Sequence, residues 1–437
     1  MAKSNSWKNL DLQWQILIGI GAGIVLGMIL NQTTPSAVSE GPIAALKTVF
    51  QLGGELFIRL LQMLIIPLVF ASIFMSIVNL GNIRELKQIG LTTVVYYLVT
   101  TALAVLIGII LVNLIHPGRG FDPDTISALK TTMGVPEHVV REGVGQRSSL
   151  IIILETFIHM IPTNPVKAMV ESDILQVIFF TIFIAIITAL LGKSSEPFIR
   201  VVESVDQIMT RSILVIMRIA PYCIFLLVTT LMIDLGFQAI MALSKYAMTV
   251  LIGLIFHACV TLPLLVFLIG HYNPFRLFKA MLPAILTAWS TASSIATLPI
   301  TLDCLEKKAG VQRKIGNFVL PLGATVNMDG TALYESVAVI FIAELLGFPL
   351  ALGTQVIIFI TATLAAIGAA AIPGAGLVTM GIVLTAAGLP LEGIGLILAI
   401  DRILDQFRTA VNVWGDASGG VVVARLDNAF RTISQAK

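Results

Sequence analysis

Charged residues are scarce in this sequence of 437 residues: Asp, Glu, Lys and Arg make up 12% of it, against about 25% in an ordinary soluble domain. Hydrophobic residues make up 57%. This combination excludes a soluble globular protein. The apolar runs follow one another with little interruption, so the sequence favours a single large membrane-embedded bundle of helices over the two or three domains that its length would suggest.

Cysteine is almost absent, and so are the patterns of several function classes. Cys223, Cys259 and Cys304 share no spacing, which argues against a disulfide framework or a metal site and predicts free thiols. The five histidines also lack ligand spacing, and we expect them to be structural or interfacial. No nucleophile–base pair or cofactor motif is present, so an enzyme is not expected. A net charge of +2 gives no reason to expect a nucleic-acid partner.

The N-terminal residues lack the apolar core and small-residue cleavage site of a signal peptide, so we expect the N-terminus to be retained and cytoplasmic. Further along, several apolar stretches reach the roughly 20 residues needed to cross a bilayer. They lie near 14–30, 56–80, 89–115, 174–191, 210–235 and 246–270. Glu55 and Arg59 are expected where the second of these helices reaches the lipid headgroups, and the polar stretch 116–148 is expected to be an exposed loop.

The last third of the sequence contains two apolar segments that are interrupted in the middle. Segment 278–303 is broken by STASSIATLP, and segment 354–389 is broken by IGAAAIPGAG. Each is followed by a helix with polar groups at membrane depth, which indicates a twofold internal repeat. Paired interrupted segments are typical of a transporter binding site, because unwound backbone exposes carbonyls and helix ends to a ligand. The alternative is that Gly and Pro are simply common in membrane helices.

Basic residues suggest how the chain crosses the membrane. Lysine and arginine recur in the connections at 81–88, 192–200, 271–279 and 303–314. Cytoplasmic loops carry an excess of these residues. We therefore predict that these loops and both termini are cytoplasmic, provided that each interrupted segment is a hairpin that re-enters on its own side.

The final helix carries a polar stripe. At 100° per residue its polar side chains fall within a stripe about 100° wide; they are Asp401, Asp405, Arg408, Thr409, Asn412 and Asp416. A charge at the bilayer centre costs at least about 2.5–3.5 kcal/mol, so the stripe requires either a function or internal pairing. A structural alternative is that Arg408 simply pairs with Asp401 or Asp405 at helical spacing.

The residue types on this stripe and nearby indicate a ligand. A buried arginine suits a carboxylate, and an acid such as Asp405 could bind an ammonium group. Together they suit a zwitterion with an extra acidic group. Asn327, Asp329 and Asp416 offer hard oxygen donors beside interrupted helices, an arrangement that favours sodium over a transition metal.

Four runs of this sequence resemble one known family. They are STASSIATLPIT (290–301), LPLGATVNMDGTALYE (320–335), AAIGAAAIPGAGLVTM (365–380) and DRILDQFRTAVNVWGD (401–416). In this order they are similar to the dicarboxylate/amino acid:cation symporter family, which includes the excitatory amino acid transporters and bacterial glutamate symporters.

The resemblance implies an all-α membrane protein with eight transmembrane helices, two re-entrant helical hairpins and inverted repeats. It also implies a homotrimer in the lipid bilayer of the inner (plasma) membrane that works as an elevator. The scaffold would comprise 1–88 and 116–243, and the mobile transport domain would comprise 89–115 and 244–437.

The resemblance also implies site residues. Substrate contacts carry over to both hairpins, the seventh span and the last helix, at Ser294, Thr331, Ile372, Pro373, Gly374, Ala375, Gly376, Asp405, Arg408, Thr409 and Asn412. One sodium site carries over to Gly323, Asn327, Asn412 and Asp416. A second, formed by backbone carbonyls, carries over to Thr325, Ala366, Ile367 and Ala369. A third carries over to Tyr97, Thr100, Thr101, Asn327 and Asp329.

The sequence departs from the family in its arginines. Archaeal members have an arginine where this chain has Ala292, and animal glutamate transporters have one where it has Gln406. Arg402, one turn before the site, resembles some bacterial glutamate symporters and is a candidate for that positive charge.

Glu335 is the remaining acid of interest, about two turns after Asn327 on a helix that should face the site. Desolvation favours the neutral form of a buried carboxyl group without a fixed cation, so such a group can bind and release a proton. The residue matches the proton-carrying position of the animal transporters. The alternative is a permanently neutral structural acid that is hydrogen-bonded to a neighbouring helix.

The leading hypothesis is therefore a secondary symporter that imports glutamate or aspartate with Na+, with H+ as a further coupling ion. Two alternatives stay within the family: a C4-dicarboxylate carrier, although those members have serine where this chain has Asp405, and a glutamate symporter driven by protons only. An anion-conducting channel is the alternative from another class.

Overall fold

The computed structural model describes residues 10, 12–33, 42–81, 87–120, 158–348, 350–369 and 374–427, which form helices and their connections. The helices of the first half are α1 (Leu12–Thr33), α2 (Pro42–Gly81), α3 (Lys87–Ile115), α4 (Pro165–Val170), α5 (Ile174–Leu191), α6 (Glu196–Ile216), α7 (Ala220–Leu235) and α8 (Phe237–Phe256). Those of the second half are α9 (Leu262–Leu268), α10 (Pro274–Thr291), α11 (Ser294–Lys307), α12 (Arg313–Val326), α13 (Asp329–Leu345), α14 (Leu352–Ile367), α15 (Ala375–Ala386) and α16 (Ile394–Leu426). A π turn, His257–Thr261, joins α8 to α9.

Several of these helices are membrane spans by length and composition. In the described residues, the segments that are long and apolar enough are Trp14–Asn31, Ala45–Val78, Ile89–Ile115, Ile174–Ile216, Ala239–Leu268 and Arg313–Leu345. The predicted stretch 210–235 is not one helix, because α6 ends at Ile216 and α7 begins at Ala220. Pro221 lies in the first turn of α7. Proline has no backbone N–H to bond to the preceding turn, so it suits the start of a helix and cannot extend α6.

The second helix is longer than the sequence suggests. Since α2 begins at Pro42, Glu55 and Arg59 lie in its interior, and the expectation that they mark the end of a helix is wrong. The two side chains pair with each other at 2.7 Å, one helical turn apart and both exposed. Opposite charges at this spacing attract each other along a helix surface, which satisfies both charges without requiring the helix to end.

The first and seventh helices pack through glycine. Gly19, Gly23 and Gly27 line one side of α1, and a methyl group on any of them would lie 2.6 to 2.9 Å from a carbonyl oxygen of α7. Small residues allow helix backbones to approach closely within a membrane. The two helices are therefore in direct main-chain contact. The carbonyl groups belong to Pro221, Phe225 and Thr229.

The first interrupted segment is a pair of helices, α10 and α11. The chain turns at Ala292, which has a left-handed backbone (φ 50°), and the Ser293 side chain accepts a hydrogen bond from the first turn of α11. Tyr272 before α10 donates its hydroxyl to the Ala309 carbonyl after α11, at 3.2 Å, so the open ends of the pair meet. Burial raises the pKa of Tyr272 above its ordinary value, which keeps the hydroxyl protonated as a donor.

The second interrupted segment is the pair α14 and α15, which packs against α2. A side chain at Gly368 would collide with Ile73, and one at Gly381 would collide with Ile65. The Ser76 hydroxyl donates to the Ile367 carbonyl at 3.3 Å. Both arms of this pair are therefore fixed on one face of α2.

The helix that precedes the second pair is itself broken. Between α12 and α13, Asn327 and Met328 leave the helical conformation, and α13 is buried along almost its whole length. The long α16 packs against α10, α12 and α13. The break is thus surrounded by helices, at a depth where the polar face of α16 can meet it.

Candidate functional site

The polar stripe predicted on the last helix is buried in the structure. Asp401, Asp405, Arg408, Asn412 and Asp416 each expose 8% or less of their surface. A buried ion is costly unless it is paired or hydrogen-bonded. The partners of these side chains therefore decide what the site can do.

Arg408 is held by two carboxylates and one aromatic ring. Its Nη2 atom lies 2.8 Å from Asp405 Oδ1 and 3.1 Å from Asp401 Oδ1, and the guanidinium carbon lies 3.8 Å from the centre of the Tyr334 ring. The pairing that the sequence offers as a structural alternative is therefore present. It uses only part of the guanidinium, because Nε and Nη1 have no hydrogen-bond partner among the described residues. Arg408 retains donors for another anion.

Asp405 connects α16 to the second helix pair. Its Oδ2 atom accepts from Arg402 Nη1 at 3.2 Å and from the backbone N–H of Gly374, just before α15, at 3.3 Å. We refer to Asp401, Arg402, Asp405 and Arg408 as the arginine cluster. It contains two carboxylates and two guanidinium groups, so its formal charges balance.

A small cavity of about 20 Å³, with room for about one water molecule, lies beside the arginine cluster. Its walls come from both helix pairs, the break before α13, and α16: Ala292, Ser294, Met328, Thr331, Ala369, Ala375, Gly376, Asp405, Thr409 and Asn412. Apart from Ala292, Met328 and Ala369, all of these are predicted substrate contacts. The structure therefore brings most of the predicted substrate residues to one cavity.

The other predicted substrate residues lie around this cavity or beyond the described chain. Arg408 lies against Gly376, since a methyl group added to Gly376 would be 3.0 Å from Arg408 Nη1. Gly374 lies against the Met217 side chain, between α6 and α7. Ile372 and Pro373 fall outside the described residues.

A second polar group lies farther along α16, and we call it the oxygen cluster: Thr100, Thr101, Asn327, Asp329 and Asp416. Asp329 Oδ1 accepts from the Thr101 hydroxyl at 2.7 Å and lies 3.3 Å from the Thr100 hydroxyl. Thr100 also lies 3.2 Å from Asn327 Oδ1, and Asn327 Nδ2 donates to Asp416 Oδ1 at 2.9 Å. Residues from α3, the α12–α13 break and α16 thus place their oxygen atoms together.

Of the remaining members of the predicted first and third sodium sites, two border the oxygen cluster and one points away from it. The Tyr97 hydroxyl donates to the Val319 carbonyl at 3.1 Å, and a methyl group on Gly323 would lie 2.6 Å from both Tyr97 and Asp416. These two residues therefore border the oxygen cluster. Asn412 Oδ1 instead accepts from the Gly330 N–H at 2.7 Å, and the amide group of Asn412 points toward Thr331 and the cavity.

Two of the four carbonyl groups of the second predicted sodium site, those of Ala366 and Ile367, already accept hydrogen bonds from the protein. The Thr325 hydroxyl donates to the Leu322 carbonyl at 3.1 Å. The Ala366 carbonyl accepts from the N–H of Ala369 at 3.3 Å, and the Ile367 carbonyl accepts from Ser76. Helix α12, which carries Thr325, contacts α14, which carries Ala366 and Ile367.

The two clusters differ in charge. Asp401 and Asp405 are paired with arginine, whereas within the described ranges neither Asp329 nor Asp416 forms an ion pair with lysine or arginine. Asp416 contacts Asn327, and Asp329 contacts the two threonines and His257. The oxygen cluster thus has two carboxylates without a fixed lysine or arginine cation.

Sequence reasoning missed two contacts of this site. Tyr334 supports Arg408 and donates to Asp401 Oδ1 at 2.7 Å. His257 lies 3.1 Å from Asp329 Oδ2, although the sequence analysis expected the histidines to be structural or interfacial. The available signal was the position of His257 within an apolar span, because ionisable residues at membrane depth usually face a functional interior.

Glu335 is fully buried on α13. Its Oε1 atom accepts a hydrogen bond from the Thr379 hydroxyl of α15, and Oε2 has no partner in the described part of the chain. The contact with a neighbouring helix that the structural alternative requires is present. An acid that carries a proton also needs an oxygen atom that is free to bind it, and Oε2 is free in this sense among the described residues.

Comparison of this sequence with known proteins points to one family of membrane transporters. The sequence model of the sodium:dicarboxylate symporter family matches residues 12–426. An excitatory amino acid transporter of Caenorhabditis elegans is 39% identical over 410 residues, which cover 86% of this chain and 81% of that protein. Excitatory amino acid transporter 4 of Mus musculus is 36% identical over 446 residues, covering 89% and 79%. Excitatory amino acid transporter 2 of Homo sapiens is 34% identical over 450 residues, covering 93% and 78%.

Proposed function

Because the chain belongs to the sodium:dicarboxylate symporter family, we propose that it imports the acidic amino acids glutamate and aspartate together with sodium. A symporter moves solutes across a membrane, so the chain is a membrane transporter and not an enzyme. The similar proteins are named excitatory amino acid transporters, which supports an acidic amino acid as the substrate.

The observation that carries the proposal is the uncompensated charge of the oxygen cluster. Two buried carboxylates near each other are unfavourable unless cations bind with them or a proton neutralises one of them. Carboxylate, amide and hydroxyl oxygens are hard ligands, which suit sodium. Asp329 with Thr100 and Thr101 would hold one sodium ion, and Asp416 with Asn327 and Gly323 would hold another.

The arginine cluster and its cavity support an acidic amino acid as the substrate. The Nη1 atom of Arg408 has no partner among the described residues, and together with Nη2 it can bind the side-chain carboxylate in a bidentate manner once Nη2 exchanges its contact with Asp405. Gly376 has no side chain, which lets the guanidinium lie close to the backbone of α15. Asp405 lines the cavity and would bind the ammonium group. A C4-dicarboxylate has no such group, so Asp405 favours an amino acid.

The architecture follows from the same family membership. We propose eight spans, two re-entrant hairpins formed by α10–α11 and α14–α15, inverted repeats, and a homotrimer with cytoplasmic termini. The segments 1–88 and 116–243 would form the scaffold, and 89–115 with 244–437 would move as an elevator. The contact of α14–α15 with α2 is then a scaffold–transport contact that breaks when the transport domain moves.

Glu335 would add a proton to the transport cycle. It lies on α13, which packs against the helix of the arginine cluster, α16. It accepts a hydrogen bond from Thr379 on the second helix pair. When this pair separates from α13, the acid would lose that donor and contact water, where it can exchange a proton.

Transport in proteoliposomes tests the proposal. Purified protein should exchange labelled glutamate or aspartate, but not neutral amino acids or succinate, in a counterflow assay. An inward sodium gradient should drive accumulation above equilibrium. Accumulation with a pH gradient alone would support the proton-driven alternative, and anion flux without accumulation would support a channel. Either result would contradict the proposal.

A further inference from the structure

The π turn between α8 and α9 directs two groups toward the site. A π turn inserts an extra residue into a helix and often lies at a functional position. Here it turns the His257 ring toward Asp329, with Nε2 3.1 Å from Oδ2. The next carbonyl, of Ala258, accepts a hydrogen bond from the Trp414 indole at 3.0 Å. The π turn is therefore attached both to the start of α13 and to α16.

The chemistry of the contact identifies His257 as a donor. An ionised carboxylate can only accept hydrogen bonds, so with Asp329 ionised, as a sodium ligand must be, His257 Nε2 is the donor of this contact. The other ring nitrogen, Nδ1, has no partner among the described residues. His257 is fully buried, so this donation is the one polar contact of its ring within the described chain.

This donation fixes the orientation of Asp329. Thr101 and Thr100 approach Oδ1 from α3, and His257 approaches Oδ2 from the π turn. On the α16 side, a methyl group on Gly415 would lie 3.0 Å from Oδ2, so the backbone there is in close contact with the carboxylate. With Oδ2 committed to His257, Oδ1 remains directed toward Thr100 and Thr101.

We propose that His257 is a positioning residue for sodium binding at Asp329. This inference rests on the proposed function, since it assumes that the oxygen cluster binds sodium. His257 does not touch the ion. It holds the carboxylate in the orientation that binds sodium, as outer hydrogen-bond partners of metal ligands commonly do. Its loss should therefore weaken sodium binding and leave the substrate cavity, which it does not line, unchanged.

Two nearly isosteric substitutions test this role. His257→Gln retains an N–H donor on a side chain of similar reach, whereas His257→Met has a similar volume and no donor. We expect His257→Met to raise the sodium concentration for half-maximal aspartate uptake about 10- to 100-fold. His257→Gln should stay within about threefold of the wild type, which is less than the loss typical for a removed outer partner. At saturating sodium, the aspartate concentration for half-maximal uptake should not change in either variant.

Thr249→Val is the matched control on the same helix. Thr249 is also fully buried, but its hydroxyl donates to the Lys245 carbonyl of its own helix, at 2.8 Å. The control should keep the sodium dependence of the wild type. Sodium-dependent thermal stabilisation of each purified protein gives a readout that does not require transport. If His257→Met does not fold, His257→Asn replaces it, because its amide is too short to reach Asp329.

The outcomes separate the two proposals. If wild-type protein shows no sodium effect in uptake or thermal stability, the proposed function fails. If the wild type responds to sodium and a folded donor-free variant responds equally, the role of His257 is overturned. Equal losses in His257→Gln and His257→Met would also overturn it, because they would show that the ring's shape and not its hydrogen bond matters.

Discussion

The two groups of buried carboxylates in this protein are held by different means. In the arginine cluster, Asp401 and Asp405 are paired with Arg402 and Arg408. In the oxygen cluster, Asp329 and Asp416 have only hydroxyl, amide and imidazole partners among the described residues. The arginine cluster therefore carries its own cations, whereas the oxygen cluster has no lysine or arginine partner among the described residues. This difference supports our proposal that the first selects an anionic substrate and the second binds sodium.

The proposed substrate role of Arg408 requires that an arginine already paired with acids can still bind a carboxylate. Arg408 shares Asp405 with Arg402, so it can exchange its contact with Asp405 for a substrate carboxylate without leaving that acid unpaired. Asp401 keeps its hydrogen bond from Tyr334. The second arginine thus makes the first one available.

The largest effect is expected from removing the central cation. Arg408→Cys leaves Asp401 without an arginine and removes the partner of the substrate carboxylate, and breaking a buried pair costs about 3–5 kcal/mol. Uptake of glutamate and aspartate should be abolished, and uptake of serine or alanine can appear. Radiolabelled uptake with each amino acid measures this. Arg408→Lys, which keeps the charge but not the bidentate geometry, is the control and should retain partial activity. Undiminished aspartate binding in Arg408→Cys would refute the assignment.

A smaller loss is expected when the oxygen cluster loses one charge. Asp416→Asn should raise the sodium concentration for half-maximal uptake by at least about tenfold, since a lost interaction with a charged group is worth about 1.5–3 kcal/mol. The pH dependence should change much less. Sodium titrations of uptake at several pH values measure both. The assignment is wrong if sodium dependence survives unchanged.

Arg402 should have a moderate effect, because Arg408 still contacts Asp405 when Arg402 is absent. Arg402→Met should raise the substrate concentration for half-maximal uptake by about three- to tenfold, which corresponds to about 0.7–1.4 kcal/mol. The sodium requirement should stay the same. Arg402→Lys tests whether charge alone is sufficient. A larger change in sodium affinity than in substrate affinity would show that the two clusters are not separate.

The smallest effect at neutral pH is expected at Glu335, which belongs to neither cluster and is proposed to carry a proton. Glu335→Gln should flatten the profile of uptake from pH 5 to 9 while sodium dependence is retained, because the amide cannot exchange a proton. Thr379→Val keeps the carboxyl group and should keep a pH-dependent profile. Identical pH profiles in wild type and Glu335→Gln would leave Glu335 as a structural acid.

The sequence predicted the parts of this site that follow from local periodicity. Helical spacing placed Asp401, Asp405, Arg408, Asn412 and Asp416 on one face, and that face is buried. Serine and threonine marked the first break, at Ala292, whereas Pro299 lies inside α11. Glycine and proline marked the break between α14 and α15, since such residues weaken a helix.

Contacts between distant segments were beyond this reasoning. A π turn has no sequence pattern of its own, so the approach of His257 to Asp329, 72 residues later, could not be predicted. The position of Glu55 and Arg59 inside α2 depends on residues before them that lie outside the apolar stretch. The direction of the Asn412 oxygen depends on the Gly330 N–H, which is freed by the break before α13.

The glycine contact of α1 with α7 has a consequence for how the chain assembles. Lipid tails are as apolar as the side chains of α1, so apolar burial does not drive these helices together, and association depends on close packing. At the end of the contact, Asn31 donates to the Ile233 carbonyl at 2.7 Å across 202 residues of sequence. During synthesis α1 therefore enters the membrane long before its partner exists. Its glycine face stays exposed to lipid until α7 is inserted, so completion of this contact is a late event in biogenesis.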